Sequence, residues 1–173
     1  MRKFHRTLLG TLFAALALGA PDRPVAVSVP TGNFGNVLAA WAARKMGLPI
    51  GRLIISSNRN DILPRFFTAN DMSARPVEPS LSPSMDIQVS SNFERLLFEL
   101  LDRDPAATAQ AMRAFRETGR MPVPDAAWRR AADLFRGTAL DDEGTLEEMR
   151  RVHAATGWLP DPHSATATHA ARA

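Results

Sequence analysis

The chain has 173 residues, enough for one domain with a real core. Its 45% hydrophobic and 23% charged content is that of an ordinary globular protein, and the lack of cysteine excludes disulfides and thiolate metal sites. The net charge of +3 is spread through mixed runs such as Arg113, Arg116, Glu117 and Arg120, a pattern of solvated helix faces and not of a nucleic-acid-binding patch.

Met1 to Arg6 is basic, Thr7 to Ala20 is mostly apolar, and Ala17-Leu-Gly-Ala20 has the small residues of a cleavage site. Residues 1–20 therefore read as a secretory signal. They also read as a buried helix, because Leu8, Leu9, Leu12, Phe13 and Leu16 recur at helical spacing. The run is too short to span a bilayer comfortably.

Next comes an apolar strand over 25–29, then a turn and a helix over about 36–46 stopped by Gly47-Leu-Pro. A second strand, 52–56, leads through a polar turn to a helix over about 61–68, for which Asn60 or Asp61 is a natural N-cap. Two apolar strands joined through a helix predict a βαβ crossover and a parallel pair. Residues 70–88, rich in Pro and Ser, read as a long loop of the functional or mobile kind.

The remainder is helix-rich. Ser91-Asn-Phe-Glu94 fits a capping box ahead of Leu96, Leu97, Leu100 and Leu101. Pro105 opens a helix that Gly119 stops. Asp125 can cap another, with Gly137 as its end, and Thr138 to Leu140 reads as a short strand. A helix over 143–155 ends before Gly157, and Asp161-Pro162 reads as N-cap and first residue of a last helix. Trp41, Trp128 and Trp158 read as core or half-buried anchors.

The chemistry concentrates in Val29-Pro-Thr-Gly-Asn-Phe-Gly-Asn36, between the first strand and its helix. A glycine-bearing turn there lets backbone N–H groups converge on an anion, and the helix N-terminus adds about half a positive charge. Gly32 and Gly35 allow φ > 0 and close backbone approach. Thr31, Asn33 and Asn36 offer further donors, although asparagine is also an ordinary turn and cap residue. The spacing is that of neither a Walker loop nor a dinucleotide fingerprint. Asn58, Arg59, Asn60 and Asp61 follow the second strand at the end of the sheet where α/β sites lie. His163 and Ser164 beside Asp161 lack a nucleophile elbow, and the histidines are too scattered for a metal site.

The wording of this loop resembles the phosphate-cradling loop of the threonine synthases. Leu53-Ile-Ile-Ser-Ser-Asn-Arg-Asn-Asp-Ile-Leu63 is similar to that family's next strand and turn, and Ser80-Leu-Ser-Pro-Ser-Met-Asp-Ile-Gln-Val-Ser-Ser-Asn-Phe-Glu-Arg95 to a long stretch of it. Asp161-Pro-His-Ser-Ala165 resembles its late Asp-Pro-His-Thr-Ala element. Phe13 to Ala20 looks like the family helix that leads into the loop's strand, which favours the fold-helix reading of 1–20 and a cytoplasmic chain.

The resemblance implies an α/β fold: a partial parallel sheet with flanking helices, part of a fold like that of the tryptophan synthase β subunit, with a helix-rich second half. It divides the chain into an apolar helix, 1–20, and a partial pyridoxal-phosphate enzyme domain, 21–173. The implied cofactor is pyridoxal 5′-phosphate, its phosphate held by Gly32, Asn33, Phe34, Gly35 and Asn36. The implied reaction converts O-phospho-L-homoserine and water into L-threonine and phosphate.

The family is more than twice as long, and its catalytic lysine lies in a Ser-x-Lys-Asp-type motif before the phosphate loop. Lys3 and Lys45 lie in no such motif, so the chain reads as a fragment, inactive alone, to which a missing half-chain is a candidate partner. A stand-alone or exported binding protein built on the same segment is the rival reading. No nucleic-acid or membrane partner is implied.

Overall fold

The computed structural model describes residues 2–173, with side chains from residue 9 onward. The order is α1 (Arg2–Ala17), β1 (Val25–Pro30), α2 (Gly35–Lys45), β2 (Ile50–Ser57), α3 (Ile62–Ala69), a 3-10 turn (Pro83–Met85), α4 (Phe93–Leu100), α5 (Pro105–Thr118), α6 (Asp125–Ala132), β3 (Phe135–Ala139), α7 (Asp142–Thr156) and α8 (Pro162–Arg172).

The three strands form one open parallel sheet in the order β1-β2-β3. Val27 and Val29 pair with Leu53 and Ile55, and Leu53 and Ile55 pair in turn with Phe135 and Gly137. Side chains alternate across a strand, so these six share one face. That face meets α2 and α3, where Phe34, Phe66, Phe67, Phe93 and Phe135 form an aromatic cluster with ring centroids 4.8–6.3 Å apart. The other face carries Ser28, Ile54, Ser56 and Thr138 in register and is covered by α8. The Ser28 hydroxyl donates to the Ala167 carbonyl at 2.8 Å, and the hydroxyls of Ser56 and Thr166 lie 3.0 Å apart. The small residues Ala165, Thr166 and Ala170 let α8 lie close on that face, and all are buried.

Covering both faces is what a parallel sheet requires, and it explains the consecutive apolar residues Leu53, Ile54 and Ile55 in β2. Both expected strands are present and parallel, and the fold class is the α/β arrangement anticipated, with helices dominating after residue 91.

Several local expectations are corrected. In α1 the apolar side chains are not buried: Leu9, Leu12, Phe13 and Leu16 are exposed, and Ala15 makes the buried contact. Leu8 lies outside the residues whose side chains are described. The helix packs on α2, where Leu9, Leu12 and Leu16 line an open apolar groove with Ala43, Met46 and Leu48. The capping box before α4 does not form. The Ser91 hydroxyl turns to Asn33 Oδ1 at 3.3 Å, and Asn92, the N-cap, makes no side-chain cap bond, its Nδ2 donating to the Asn33 carbonyl and its Oδ1 accepting from Arg95.

Asp125 is the first residue of α6, whose N-cap is Pro124. Gly137 does not end that helix but lies inside β3. A Cβ there would come within 2.4 Å of Pro64 Cα, so glycine is what lets α3 pack onto the strand. Trp128 is the expected half-buried anchor, its Nε1 donating to the Phe66 carbonyl at 2.6 Å, whereas Trp158 is 54% exposed. Gly119 and Gly157 end α5 and α7 with φ of 70° and 74°, as glycine permits.

Candidate functional site

The loop 31–34 leaves the carboxyl end of β1 and turns directly into α2. Its start is fixed to β2: Thr31 N donates to the Ser56 carbonyl at 2.9 Å, and the Ser57 hydroxyl donates to the Thr31 carbonyl at 3.0 Å. Phe34 takes the left-handed conformation, φ 62° and ψ 3°, and α2 starts at the next residue. A left-handed residue followed by a right-handed helix folds successive N–H groups toward one side, the geometry of an anion-binding nest. Phe34 tolerates that backbone because its ring is wholly buried in the aromatic cluster.

The positive φ was expected at Gly32 or Gly35 and occurs at Phe34 instead. Gly32 matters for proximity: a Cβ there would lie 3.0 Å from the Ile87 side chain and 3.1 Å from Met85 Cα. The Phe34 amide donates back to Thr31 Oγ1 at 3.0 Å, so Thr31 serves here as an acceptor that braces the turn. The Asn33 carbonyl accepts from the Asn92 amide at 3.2 Å and from Asn92 Nδ2 at 2.9 Å. Asn33 and Asn36 present exposed side chains at the rim.

A second polar cluster lies after β2. Asn58, buried, donates from Nδ2 to Asp86 Oδ1 at 2.7 Å and to the hydroxyls of Ser80 and Ser82 at 2.6 and 3.1 Å. Asn60 donates to the same Asp86 oxygen at 3.1 Å and closes a pair with Glu78, accepting from its amide at 2.9 Å and donating to its carbonyl at 2.8 Å. Ser80 supplies its amide to Asp86 Oδ2 at 3.0 Å and its hydroxyl to Oδ1 at 2.6 Å. Asp61 sits at the N-cap position of α3 without a cap bond, because its carboxylate accepts from Arg65 Nε at 2.8 Å. Arg59 reaches outward to Asp142 at 3.0 Å.

Asp86 had no role legible in the sequence. The paired asparagines one residue apart after a strand, and serines at 80 and 82, were the available signal.

At the start of α8 the Asp161 carboxylate accepts from the amides of His163 and Ser164 and from the Ser164 hydroxyl at 2.6 Å. The Ser164 hydroxyl bond is the main cause that holds Asp161 below its ordinary pKa. Ser164 is thus bonded to the acid and not to the imidazole, the opposite of a nucleophile triad, and the Asp161–Pro162 pair is the helix cap anticipated. Among the described residues no cluster of three or more His, Asp or Glu is placed to hold a metal. Lys45 sits at the far end of α2 from the loop, 3.9 Å from Glu99 and 5.3 Å above the Trp41 ring.

A parallel sheet whose first strand ends in a left-handed turn running directly into a helix places the chain among the α/β proteins. Comparison with known proteins narrows this. The chain is 52% identical over 159 residues to a threonine synthase of Pseudomonas aeruginosa, covering 92% of this chain and 34% of that one. It is 41% identical over 160 residues to that of Corynebacterium glutamicum.

The fold matches the structure of a PLP-bound threonine synthase from Brucella melitensis with a TM-score of 0.94 and 42% identity, covering 96% of this chain and 36% of that one. It also matches the yeast threonine synthase, with a TM-score of 0.89 and 30% identity. No protein-family model matches the chain. The chain is threonine-synthase-like, and it spans about a third of the length of the curated relatives it matches.

Proposed function

We propose that this chain contributes the phosphate-binding loop of a threonine synthase, holding the phosphate of pyridoxal 5′-phosphate at Gly32, Asn33, Phe34, Gly35 and Asn36. The observation that carries this reading is the left-handed Phe34 immediately before α2 at the carboxyl end of β1. The first amides of a helix have no acceptor within it, and no acidic side chain occurs from Thr31 to Asn36 to oppose an anion. Because the Phe34 amide is donated to Thr31 Oγ1, the donors left for phosphate are those of its neighbours. Phe34 shapes the cradle from inside the core.

The residues present fit the phosphate end of the cofactor. Pyridoxal phosphate, when bound, supplies an electron sink for carbanions. The family reaction, O-phospho-L-homoserine plus water giving L-threonine plus phosphate, also needs an amine that anchors the cofactor and moves protons. Lys45 does not fit that need, since at 1.5 Å rise per residue it stands about 15 Å along α2 from the loop. The amine then lies in a part of the enzyme outside these 173 residues, which alone bind without turning over substrate. The same reading makes the chain a cytoplasmic biosynthetic component; no helix among the described residues is long and apolar enough to cross a membrane.

A titration of the chain with inorganic phosphate, followed by amide chemical shifts, tests the cradle. Shifts that saturate at Gly32, Asn33, Gly35 and Asn36 are expected, with weak affinity because one loop acts alone. Saturating shifts confined to other residues, or none at all, would remove the reading.

A further inference from the structure

We propose that Asp86 is a positioning residue for the anion loop, acting from behind it through the segment 85–87; this rests on the phosphate-cradle reading above. The chain of contacts is short. Asp86 collects donors from Asn58, Asn60 and Ser80 with both carboxylate oxygens. Those donors belong to the rigid carboxyl end of β2 and to the loop it ties down. Met85 and Ile87, the residues on either side, lie directly against Gly32: the place where a Cβ would sit is 3.0–3.1 Å from atoms of both. The segment that Asp86 pins is therefore the surface on which the first glycine of the cradle rests.

A few residues on, the same stretch reaches the cradle again. Asn92 holds the Asn33 carbonyl through both its backbone and side-chain N–H groups. Holding that carbonyl outward keeps the peptide plane oriented so that the following amide turns to Thr31 and the nest forms. The loop thus has two fixed supports, one under Gly32 and one at Asn33, and the Asp86 cluster joins the first of them to the sheet.

A carboxylate suits this position. Asn58 Nδ2, Asn60 Nδ2, the Ser80 hydroxyl and the Ser80 amide all point donors at it, and an acceptor-only group can satisfy four donors at once. An amide in its place would turn an N–H toward one of them. With the remaining oxygen at the Oδ1 place, which Asn58, Asn60 and the Ser80 hydroxyl share, the Ser80 amide at the Oδ2 place would face that N–H and lose its acceptor.

The test uses the chain itself, labelled for amide spectroscopy, in three forms: unaltered, Asp86→Ala and Asp86→Asn. A core change on α5, Phe115→Leu, serves as the control for general loosening. Two readouts are taken. The first needs no ligand: the chemical shifts and hydrogen exchange of the amides from Gly32 to Gly35. The second is the inorganic phosphate titration.

Asp86→Ala is expected to displace the Gly32 and Asn33 amide signals, to speed their exchange, and to weaken phosphate about tenfold, the scale of one lost charged hydrogen-bond set. Asp86→Asn, keeping one acceptor oxygen, should fall between it and the unaltered chain. Phe115→Leu should leave the loop amides in place.

Loop amides unmoved by both Asp86 changes would overturn the proposal, as would a loop response to Phe115→Leu of equal size. If the unaltered chain shows no phosphate response, the cradle reading fails alone, and the ligand-free signals still decide whether Asp86 sets the loop. If Asp86→Ala does not fold, Asp86→Asn decides by the same two criteria.

Discussion

Phe34 joins the core and the proposed cradle in a single residue. A left-handed backbone costs a side-chain-bearing residue about 1–2 kcal/mol, and here the cost is offset by burial among Phe67, Phe93 and Phe135. Two truncations separate the terms. Phe34→Ala removes the ring and keeps the backbone penalty, so a loss of about 3–5 kcal/mol is expected. Phe34→Gly makes the same cavity but relieves the backbone, so it should be milder by about 0.5–1 kcal/mol, opposite to the usual order of these two residues. Urea denaturation of both variants measures this, and a milder Phe34→Ala would show that the left-handed turn is not held in solution. The sequence pointed to the right turn but assigned its unusual backbone to Gly32 and Gly35. Local preference names glycine first, and only packing with phenylalanines from three other elements shows why the residue between them takes that conformation.

Helix and strand pairings carry two further expectations. Gly137 lies where Pro64 of α3 meets β3, with backbone atoms of Pro64 as close as 2.4 Å to a would-be Cβ. Gly137→Ala must push the helix off the strand and should cost about 1–3 kcal/mol by overpacking, seen as a lower denaturation midpoint.

The α7–α8 pair is held by Glu148, whose side chain is buried and accepts from Arg151 and Arg172. Hydrogen bonding, from Arg151 first and then from Arg172 and Thr168, outweighs burial and lowers its pKa from 4.5 to about 2. A carboxylate with a depressed folded pKa adds stability that is complete above the unfolded value and is lost as pH falls through the folded one. The contribution, on the order of 3 kcal/mol, should therefore fade between about pH 4.5 and 2, and Glu148→Gln should flatten that part of a stability-against-pH curve.

Elements with strong periodicity and clear stops, such as β1, β2, α5 and α7, were legible in the sequence. The start of β3 was not. Phe135 and Arg136 continue the apparent helical face of α6, and pairing with β2 settles them as strand. Ser91 likewise had a local capping role available and took a partner 58 positions away.

At the scale of the molecule, the proposed cradle would form one side of a cofactor site, and Lys45 is not placed to complete it. Mixed with pyridoxal phosphate, the chain should show only slow modification of surface amines and release no phosphate from O-phosphohomoserine. Lys45 is engaged at 3.9 Å by Glu99 and lies over Trp41. Stoichiometric borohydride-trapped labelling of Lys45 together with phosphate release would make this chain a minimal enzyme. The family was legible from four short stretches in order because their wording, more than their spacing, is distinctive. The support given by Asp86 was not legible, since it depends on a loop crossing back over the end of a strand more than twenty residues earlier.

The seating of α8 on the sheet has a consequence for how the protein comes into being. Ser28 finds its partner at Ala167, 139 positions later, and Ser56 finds Thr166 after 110. Contacts of such separation are slow to form. While the chain leaves the ribosome, β1 and β2 are complete long before the helix that covers one of their faces exists. That face remains uncovered until α8 has been made, a period in which unfinished parallel strands are prone to stick to one another. Its exposed residues in the meantime include Ser28 and Ser56, hydroxyl side chains that water satisfies as readily as α8 does. The polar stripe that fastens the last helix therefore also keeps the nascent sheet from being a wholly apolar surface.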